Sequence, residues 1–230
     1  MNIIMYPHGG SGNRGCEAIV RATNKILIPD NSILFSSAKN EDYDVGLNNI
    51  CSILDEQKKI NKYSLKFIIA YIQYHFLHKK DAFDLLIFRN IFKNCNKQTL
   101  ALSIGGDNYC YGEAEFIYLI NSELRRRGIK TVLWGCSVDE NLLSEKMIND
   151  LKGYELIVAR ESITYEAMKK INPNTVLYPD PAFQLDTIEL PLPNGFMEGN
   201  TVGINVSPMI IDNEENKGIT LRNYECLIEY

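Results

Sequence analysis

Short apolar runs alternate with amphipathic stretches along most of this 230-residue sequence. The runs, such as 3–6 and 131–134, are almost continuously apolar, which is typical of strands buried on both faces of a parallel sheet. This alternation predicts βαβ units and an α/β fold, a Rossmann-like parallel sheet flanked by helices. The predicted strands are 3–6, 33–35, 99–104, 131–134, 155–159 and 175–178. The predicted helices are 14–27, 63–78, 82–92, 113–127, 140–151 and 162–170, and 42–60 favours a turn followed by a helix.

The alternation breaks at residues 186–200, where two prolines and two glycines are typical of a linker. We therefore expect a domain at 1–185, a linker at 186–200 and the beginning of a truncated second domain at 201–230. A strand at 202–206 and a helix from about Leu221 are predicted there. About thirty residues cannot bury a core of their own, so they either complete the first sheet or begin another domain.

Composition excludes several classes of protein. The formal net charge is −5, which argues against a nucleic-acid partner. The six cysteines are scattered without a C-x-x-C pair, as in proteins of the reducing cytoplasm. No stretch approaches the ~18 apolar residues that a membrane span needs. We expect a cytoplasmic protein.

Positive charge is concentrated in residues 58–97. Nine basic residues oppose two acidic ones there, so the segment carries +7 and the remaining chain, with the total at −5, carries −12. Apolar and aromatic residues recur at helical spacing within 67–76, flanked by lysines. Such a helix suits peripheral contact with an anionic membrane. Alternatively, its aromatics pack on the sheet or on helix 82–92, because apolar stripes are usually core.

Small and polar residues follow five of the predicted strands. In a parallel sheet, ligands bind beyond the carboxyl ends of the strands, so we expect these loops to line one edge and share a site. Turn formation alone also explains glycine and aspartate at strand ends. The five loops are 8–15, 105–108, 135–137, 160–161 and 179–181.

The first loop contains a G-x-G-x-x-G pattern at residues 10–15, between a strand and a helix. Residues 35–38, which end the second strand, lack the carboxylate that a dinucleotide site needs, and Arg14 and Glu17 crowd the turn. General anion binding at the helix N-terminus is therefore favoured over a dinucleotide. Near this edge, no pair among His8, Cys16, Cys110 and Cys136 has the spacing of metal ligands, so no metal is predicted.

Five segments stand in a characteristic order: GNRGCEAI at 12–19, SIGGDNY at 103–109, WGCS at 134–137, VARES at 158–162 and YPDPAF at 178–183. Together they resemble the polysaccharide pyruvyl transferase family, over nearly the whole chain except 42–97. The resemblance implies the N-terminal domain of a glycosyltransferase-B-like fold. It also implies transfer of pyruvate from phosphoenolpyruvate, the donor substrate, to a sugar or lipid-linked glycan of a surface or capsular polysaccharide precursor. The product is a ketal, and no cofactor is expected.

The resemblance also implies roles for single residues. Arg160 matches the family's donor-binding position and is the candidate catalytic residue, although an ion pair with Glu161 or Glu166 is the structural alternative. The family's essential histidine belongs to the second domain and has no counterpart here, so we expect this chain alone to be inactive. The predicted donor- and acceptor-binding residues are His8, Gly12, Asn13, Glu17, Asp107, Asn108 and Ser137.

Two other functions remain open from the sequence. One is a nucleotide-sugar glycosyltransferase of the same architecture. The other is a non-catalytic glycan-binding or scaffold domain. For Asp107 a turn-capping role is an equal alternative to acceptor binding, and Asp180, between two prolines, is interpreted as structural.

Overall fold

The computed structural model describes residues 1–110, 112–197 and 199–203. Within these residues, seven parallel strands form one sheet in the order β3-β2-β1-β4-β5-β6-β7. The predicted α/β, Rossmann-like fold is confirmed. The strands are β1 Asn2–His8, β2 Asn31–Ser36, β3 Ser52–Asp55, β4 Thr99–Ser103, β5 Lys130–Cys136, β6 Leu156–Ala159 and β7 Thr175–Leu177.

Helices cover the sheet between these strands. They are α1 Arg14–Leu27, α2 Lys39–Asp44, α3 Leu65–His75, α4 Ala82–Ile87, α5 Arg89–Lys93, α6 Glu115–Arg126, α7 Glu145–Lys152 and α8 Ser162–Ile171. Short 3₁₀ helices lie at Leu47–Asn49, Glu140–Leu142 and Pro181–Gln184. No helix among the described residues is long and apolar enough to cross a membrane.

The chain divides into two units, Met1–Asp186 and Thr187–Tyr230. The strands and helices given above all lie in the first unit. The strand predicted at 202–206 falls mostly, and the helix predicted near Leu221 wholly, outside the described residues. The interpretation of 186–230 as a linker and a truncated domain therefore stays a prediction.

Burial on both faces explains the apolar strands. In β1, the consecutive residues Ile3, Ile4, Met5 and Tyr6 are all fully buried. Because successive side chains point to opposite faces, Ile3 and Met5 pack in a cluster with Ile19 of α1. Ile4 and Tyr6 pack in the opposite cluster, which includes residues of α5 and α6. Apolar residues are therefore required at each of these four consecutive positions of β1.

The sequence prediction for 42–60 is wrong in one respect. Instead of a helix after the turn, the segment contains the short strand β3, paired with β2 at the sheet edge. Four residues, with Ile53 the only fully buried one, are too few to show a strand period. The predicted helix 82–92 is also divided, with Phe88 between α4 and α5. The helix predicted from 140 begins at Glu145 instead, because the Ser144 hydroxyl accepts from the Met147 amide at 3.1 Å.

Strand order places a topological switch point between β1 and β4. The chain proceeds outward from β1 through β2 to β3, then crosses back to β4 beside β1 and continues to β7. Because all strands are parallel, their carboxyl ends lie along one edge. The loops after β1 and β4 separate at the switch point, which is where open α/β sheets bind ligands.

A buried polar network fixes the loop after β4 to the helices beside it. The Tyr109 hydroxyl donates to an Asp150 oxygen at 2.5 Å, and the Asn121 amide donates to the same oxygen at 2.7 Å. Arg125 donates to the other Asp150 oxygen at 2.8 Å. Tyr154 adds hydrogen bonds to Tyr109 and Asn121. One buried carboxylate therefore holds groups from the β4 loop, α6 and the end of α7 together.

We expect Asp150→Asn to lower the free energy of unfolding by about 2–4 kcal/mol, because an amide NH₂ then faces buried donors and Arg125 loses its counter-charge. Urea unfolding followed by circular dichroism measures this. Asp186→Asn makes the same change in an exposed ion pair with Lys25 and should leave the midpoint nearly unchanged. Equal midpoints for the two variants would contradict a structural role for the network.

A second buried carboxylate makes stability depend on pH. Glu56 follows β3, is buried, and its Oε1 has no hydrogen-bond partner among the described residues. Burial raises the pKa of Glu56 to about 7. Since the folded state binds this proton more tightly than the unfolded state, the stabilisation is full below about pH 4.5 and is lost as the pH rises through 7.

Glu56→Gln should therefore remove a decline in stability between pH 5 and 8. At pH 8 the variant should be more stable than the unmodified protein by up to about 3 kcal/mol, and at pH 5 the two should be similar. Urea midpoints measured across this range test the expectation. Glu115→Gln, at an exposed site, should keep the decline. If Glu56→Gln kept it as well, another group would be responsible.

Candidate functional site

The five polar loops predicted from the sequence lie along the carboxyl edge of one sheet, as predicted. They follow β1, β4, β5, β6 and β7, which are parallel and hydrogen-bonded in sequence across the sheet. His8 and Arg160 are therefore both at this edge, at the ends of β1 and β6. This edge is the candidate site. The side chains along it differ in whether contacts within the protein leave them free to bind a ligand.

Arg160 is held by two neighbours and keeps part of its guanidinium unbound. Its Nε donates to the Ser137 hydroxyl at 2.8 Å, and its Nη1 donates to the Asp180 carboxylate at 2.9 Å. Its side chain is 29% exposed. Among the described residues Nη2 has no hydrogen-bond partner. The arrangement fixes the plane of the guanidinium and leaves one nitrogen available to an anion.

The ion-pair partner of Arg160 differs from the structural alternative raised by the sequence. The Glu161 carboxylate accepts from the amides of Ile163 and Thr164 and caps α8, so it is engaged by the backbone. Asp180 takes its place and also caps the following 3₁₀ helix, through the Ala182 amide at 2.9 Å. The structural interpretation of Asp180 is thus incomplete, because its carboxylate also orients Arg160.

Two glycines make room for this arrangement. A Cβ on Gly106 would lie 2.6 Å from Nη1 of Arg160, so the guanidinium passes directly over the β4 loop. A Cβ on Gly135 would lie 2.7 Å from Pro181, and Gly135 has a φ of +67°. The Gly106 carbonyl also accepts from the Ser137 amide at 2.6 Å. Arg160 therefore reaches across β5, from the end of β6 to the end of β4.

A cavity of about 660 Å³ opens beside Arg160 at the ends of β6 and β7. Asp180 and Glu161 supply its polar wall, and Leu177, Pro179 and Phe183 supply an apolar one. A larger cavity of about 910 Å³ lies elsewhere, between α3, α4, α5 and α6. Only the smaller one adjoins the carboxyl edge, so it is the candidate ligand space.

The β4 loop presents two further polar side chains at the switch point. Asp107 is exposed, and its carboxylate has no hydrogen bond or ion pair within the described part of the chain. Asn108 is half-buried and donates from Nδ2 to the Ser103 hydroxyl at 3.2 Å. Because Gly106 lies against Arg160 and directly precedes Asp107, the loop that carries Asp107 and Asn108 adjoins Arg160.

The first loop differs from a phosphate-binding loop in one decisive contact. The Glu41 carboxylate of α2 accepts from the Gly12 amide at 2.7 Å, and a Cβ on Gly10 would collide with it. Asn13 caps α1 by accepting from the Gly15 amide at 2.9 Å. An internal carboxylate thus occupies the place at which the glycine pattern predicts an anion.

His8 and Glu17 are engaged by the protein itself. His8 Nε2 lies 2.8 Å from an Asp42 oxygen that also accepts from the Ser11 hydroxyl at 2.6 Å, and the His8 and Asp42 side chains are almost completely buried. Glu17 accepts from Arg14 and Arg21 at 2.9 and 2.8 Å. Partial burial raises the pKa of Glu17, but these arginine hydrogen bonds outweigh it and lower the pKa below its ordinary value. His8 is turned away from solvent, and Glu17 stays ionised.

Cysteine thiols at this edge are poor nucleophiles. Burial raises the pKa of Cys136 to about 12 and also raises that of Cys110, whose Sγ donates to the Ser137 carbonyl at 3.2 Å. In the described parts of the chain, no three His, Cys, Asp and Glu side chains are grouped so as to hold a metal ion. The candidate ligand-binding groups of this edge are therefore Arg160, which Ser137 and Asp180 hold in place, and Asp107 and Asn108.

Sequence reasoning missed Asp180 as the partner of Arg160 and Glu41 as the carboxylate in the first loop. The YPDPAF segment was a signal for Asp180, since it follows the strand next to that of Arg160. No local pattern signals Glu41, because it reaches Gly12 from 29 residues along the chain.

Comparisons with known proteins agree with the resemblance. A family model described as polysaccharide pyruvyl transferase matches residues 13–229. A comparison with curated proteins gives no significant match, and a comparison with solved structures gives none either. The matched span contains Arg160, Ser137, Asp180 and the β4 loop.

Proposed function

This chain belongs to the polysaccharide pyruvyl transferase family, and from that premise we propose that its first unit, Met1–Asp186, binds phosphoenolpyruvate for the transfer of pyruvate to a sugar of a surface-polysaccharide precursor. The observation that best supports the proposal is the position of the Arg160 guanidinium. It is fixed over Gly106, and its Nη2 has no hydrogen-bond partner among the described residues. Asp107, which follows Gly106 directly, is exposed, and its carboxylate has no partner among these residues either. In this proposal Arg160 is the cation that binds the donor, and the adjoining β4 loop supplies the hydrogen-bond acceptors for the sugar.

The reaction sets clear requirements on such a site. A proton adds to the methylene carbon of phosphoenolpyruvate, which becomes the methyl group and leaves the central carbon electrophilic. One sugar hydroxyl attacks that carbon, and the bond to the phosphate oxygen breaks. The second hydroxyl then closes the cyclic ketal. Of the two hydroxyl protons released, one balances the proton added to the methylene and the other leaves with the phosphate.

Arg160 suits the donor because Nη2 of its always-charged guanidinium carries two N–H groups that can donate to a carboxylate or phosphate. Ser137 and Asp180 act as positioning residues, since they hold Nε and Nη1 and so aim Nη2 outward. Pre-set orientation reduces the entropy lost on binding. In this proposal the donor occupies the cavity of about 660 Å³ at the ends of β6 and β7.

Asp107 and Asn108 are the proposed acceptor-side groups, because carboxylate and amide oxygens accept from sugar hydroxyls. Gly12 and Asn13 line the other side of the switch point, where both are exposed. His8 and Glu17 support this side indirectly. His8 holds Asp42 of α2, and Glu17 holds Arg14 in the first turn of α1.

Arg160→Ala should lower the affinity for phosphoenolpyruvate at least tenfold, as measured by isothermal titration calorimetry. Arg160→Lys should give an intermediate affinity, because lysine keeps the charge but cannot be oriented by Ser137 and Asp180 in the way that the planar guanidinium is. Titration with a nucleotide sugar in parallel should give no heat. Nucleotide-sugar binding without phosphoenolpyruvate binding would favour the glycosyltransferase alternative, and binding of neither would favour the scaffold alternative.

Arg126→Ala is the matched control, because it removes a guanidinium from the larger cavity between α3 and α6. It should leave the affinity for phosphoenolpyruvate unchanged. If Arg126→Ala abolished binding and Arg160→Ala did not, the donor would bind in the larger cavity and the proposal would be wrong.

A further inference from the structure

Helix α3 exposes its most apolar face. It begins after Ser64, whose hydroxyl accepts from the Phe67 amide at 3.2 Å, and Ala70 is the only buried residue among its eleven. Side chains along one face, from the first turn to the residue after the helix, remain 45–72% exposed. They are Leu65, Ile68, Ile69, Ile72 and Phe76.

The opposite side of α3 accounts for its packing on the protein. The Phe67 and Tyr74 rings lie against Phe83, with ring centroids 5.6 and 5.5 Å apart. Aromatic packing on the neighbouring helix, one of the two alternatives from the sequence, therefore holds for these two rings. This packing does not include the aliphatic face, whose residues are three or four positions apart in the sequence and are exposed to solvent.

Cationic side chains line the cavity beside this face. Lys66 of α3 and Lys93 of α5 lie side by side at the cavity of about 910 Å³, together with Lys79 and Arg89. Contact with Lys93 lowers the pKa of Lys66. Of the two acidic residues lining the cavity, Glu123 is already paired with Arg126 and Arg127, which leaves Asp81. Positive charge is thus gathered here in excess of its counter-charges.

Charge distribution identifies the partner that this surface fits. The segment 58–97 carries +7, and the rest of the chain carries −12. An extended anionic surface would therefore attract this side of the molecule and repel the remainder. This difference fixes the orientation of the protein on that surface. Exposed aliphatic side chains bordered by lysines and by Tyr71 match the interface of an anionic bilayer, which combines apolar chains with phosphates.

We propose that α3 and the cationic cavity beside it dock this protein on an anionic lipid bilayer. The aliphatic face of α3 enters the interface, and the lysines and arginine of the cavity bind lipid phosphates. The inference goes beyond pyruvyl transfer and does not rest on it, since the docking surface shares no residue with the Arg160 site.

Co-sedimentation with vesicles tests the proposal on the full chain. Binding to phosphatidylglycerol–phosphatidylcholine vesicles should be at least tenfold stronger than binding to pure phosphatidylcholine, and should weaken as salt rises. Ile68→Gln with Ile72→Gln should lower it at least tenfold, as should Lys66→Glu with Lys93→Glu. Circular dichroism of each double variant should match that of the unmodified chain, because all four side chains are exposed.

Two matched controls make the same changes elsewhere. Ile28→Gln with Ile163→Gln alters two exposed isoleucines outside α3, and Lys130→Glu with Lys146→Glu alters two exposed lysines. Both should bind vesicles like the unmodified protein. Equal binding to anionic and neutral vesicles, or unchanged binding by the α3 variants, would overturn the proposal. So would an oligomer in analytical ultracentrifugation that the Ile68 and Ile72 changes dissociate while vesicle binding is absent.

Discussion

Burial of the central strands on both faces is the constraint on which this structure depends. Strand β1 has apolar side chains at consecutive positions because helices cover the sheet on either side, so polar groups are confined to the strand ends. Parallel pairing then collects the carboxyl ends along one edge. The polar residues selected from the sequence share one edge because each of them follows a strand of the same parallel sheet. The switch point between β1 and β4 opens that edge to a ligand.

Along this edge, some polar side chains already have hydrogen-bond or ion-pair partners within the protein, and others keep donors or acceptors without a partner among the described residues. Glu41 fills the glycine loop, and Asp42 holds His8 in the interior. Arg160 is different, because two neighbours fix its orientation while Nη2 has no hydrogen-bond partner within the described part of the chain. Family membership and this geometry together support a donor site centred on Arg160, with the β4 loop as the place where donor and acceptor meet.

Local patterns predicted most of the fold and little of the site geometry. Helix α1 has the bounds predicted from the sequence, because its apolar residues recur at helical spacing within one short segment. Its N-cap, Asn13, directly precedes that segment. The contacts of Arg160 with Asp180 and of Gly12 with Glu41 join residues 20 and 29 positions apart, and they depend on how loops meet after folding. The outward face of α3 could not be predicted either, since an apolar stripe has the same spacing whether it is packed or exposed.

The central claim is that the donor binds at the carboxyl edge through Arg160. Amide hydrogen exchange followed by mass spectrometry, with and without saturating phosphoenolpyruvate, tests it most directly. Phosphoenolpyruvate should slow exchange in residues 136–138, 160–164 and 177–183, with no change in helices α3 to α5. Slower exchange confined to α3–α5, or unchanged exchange at all three edge segments, would contradict it.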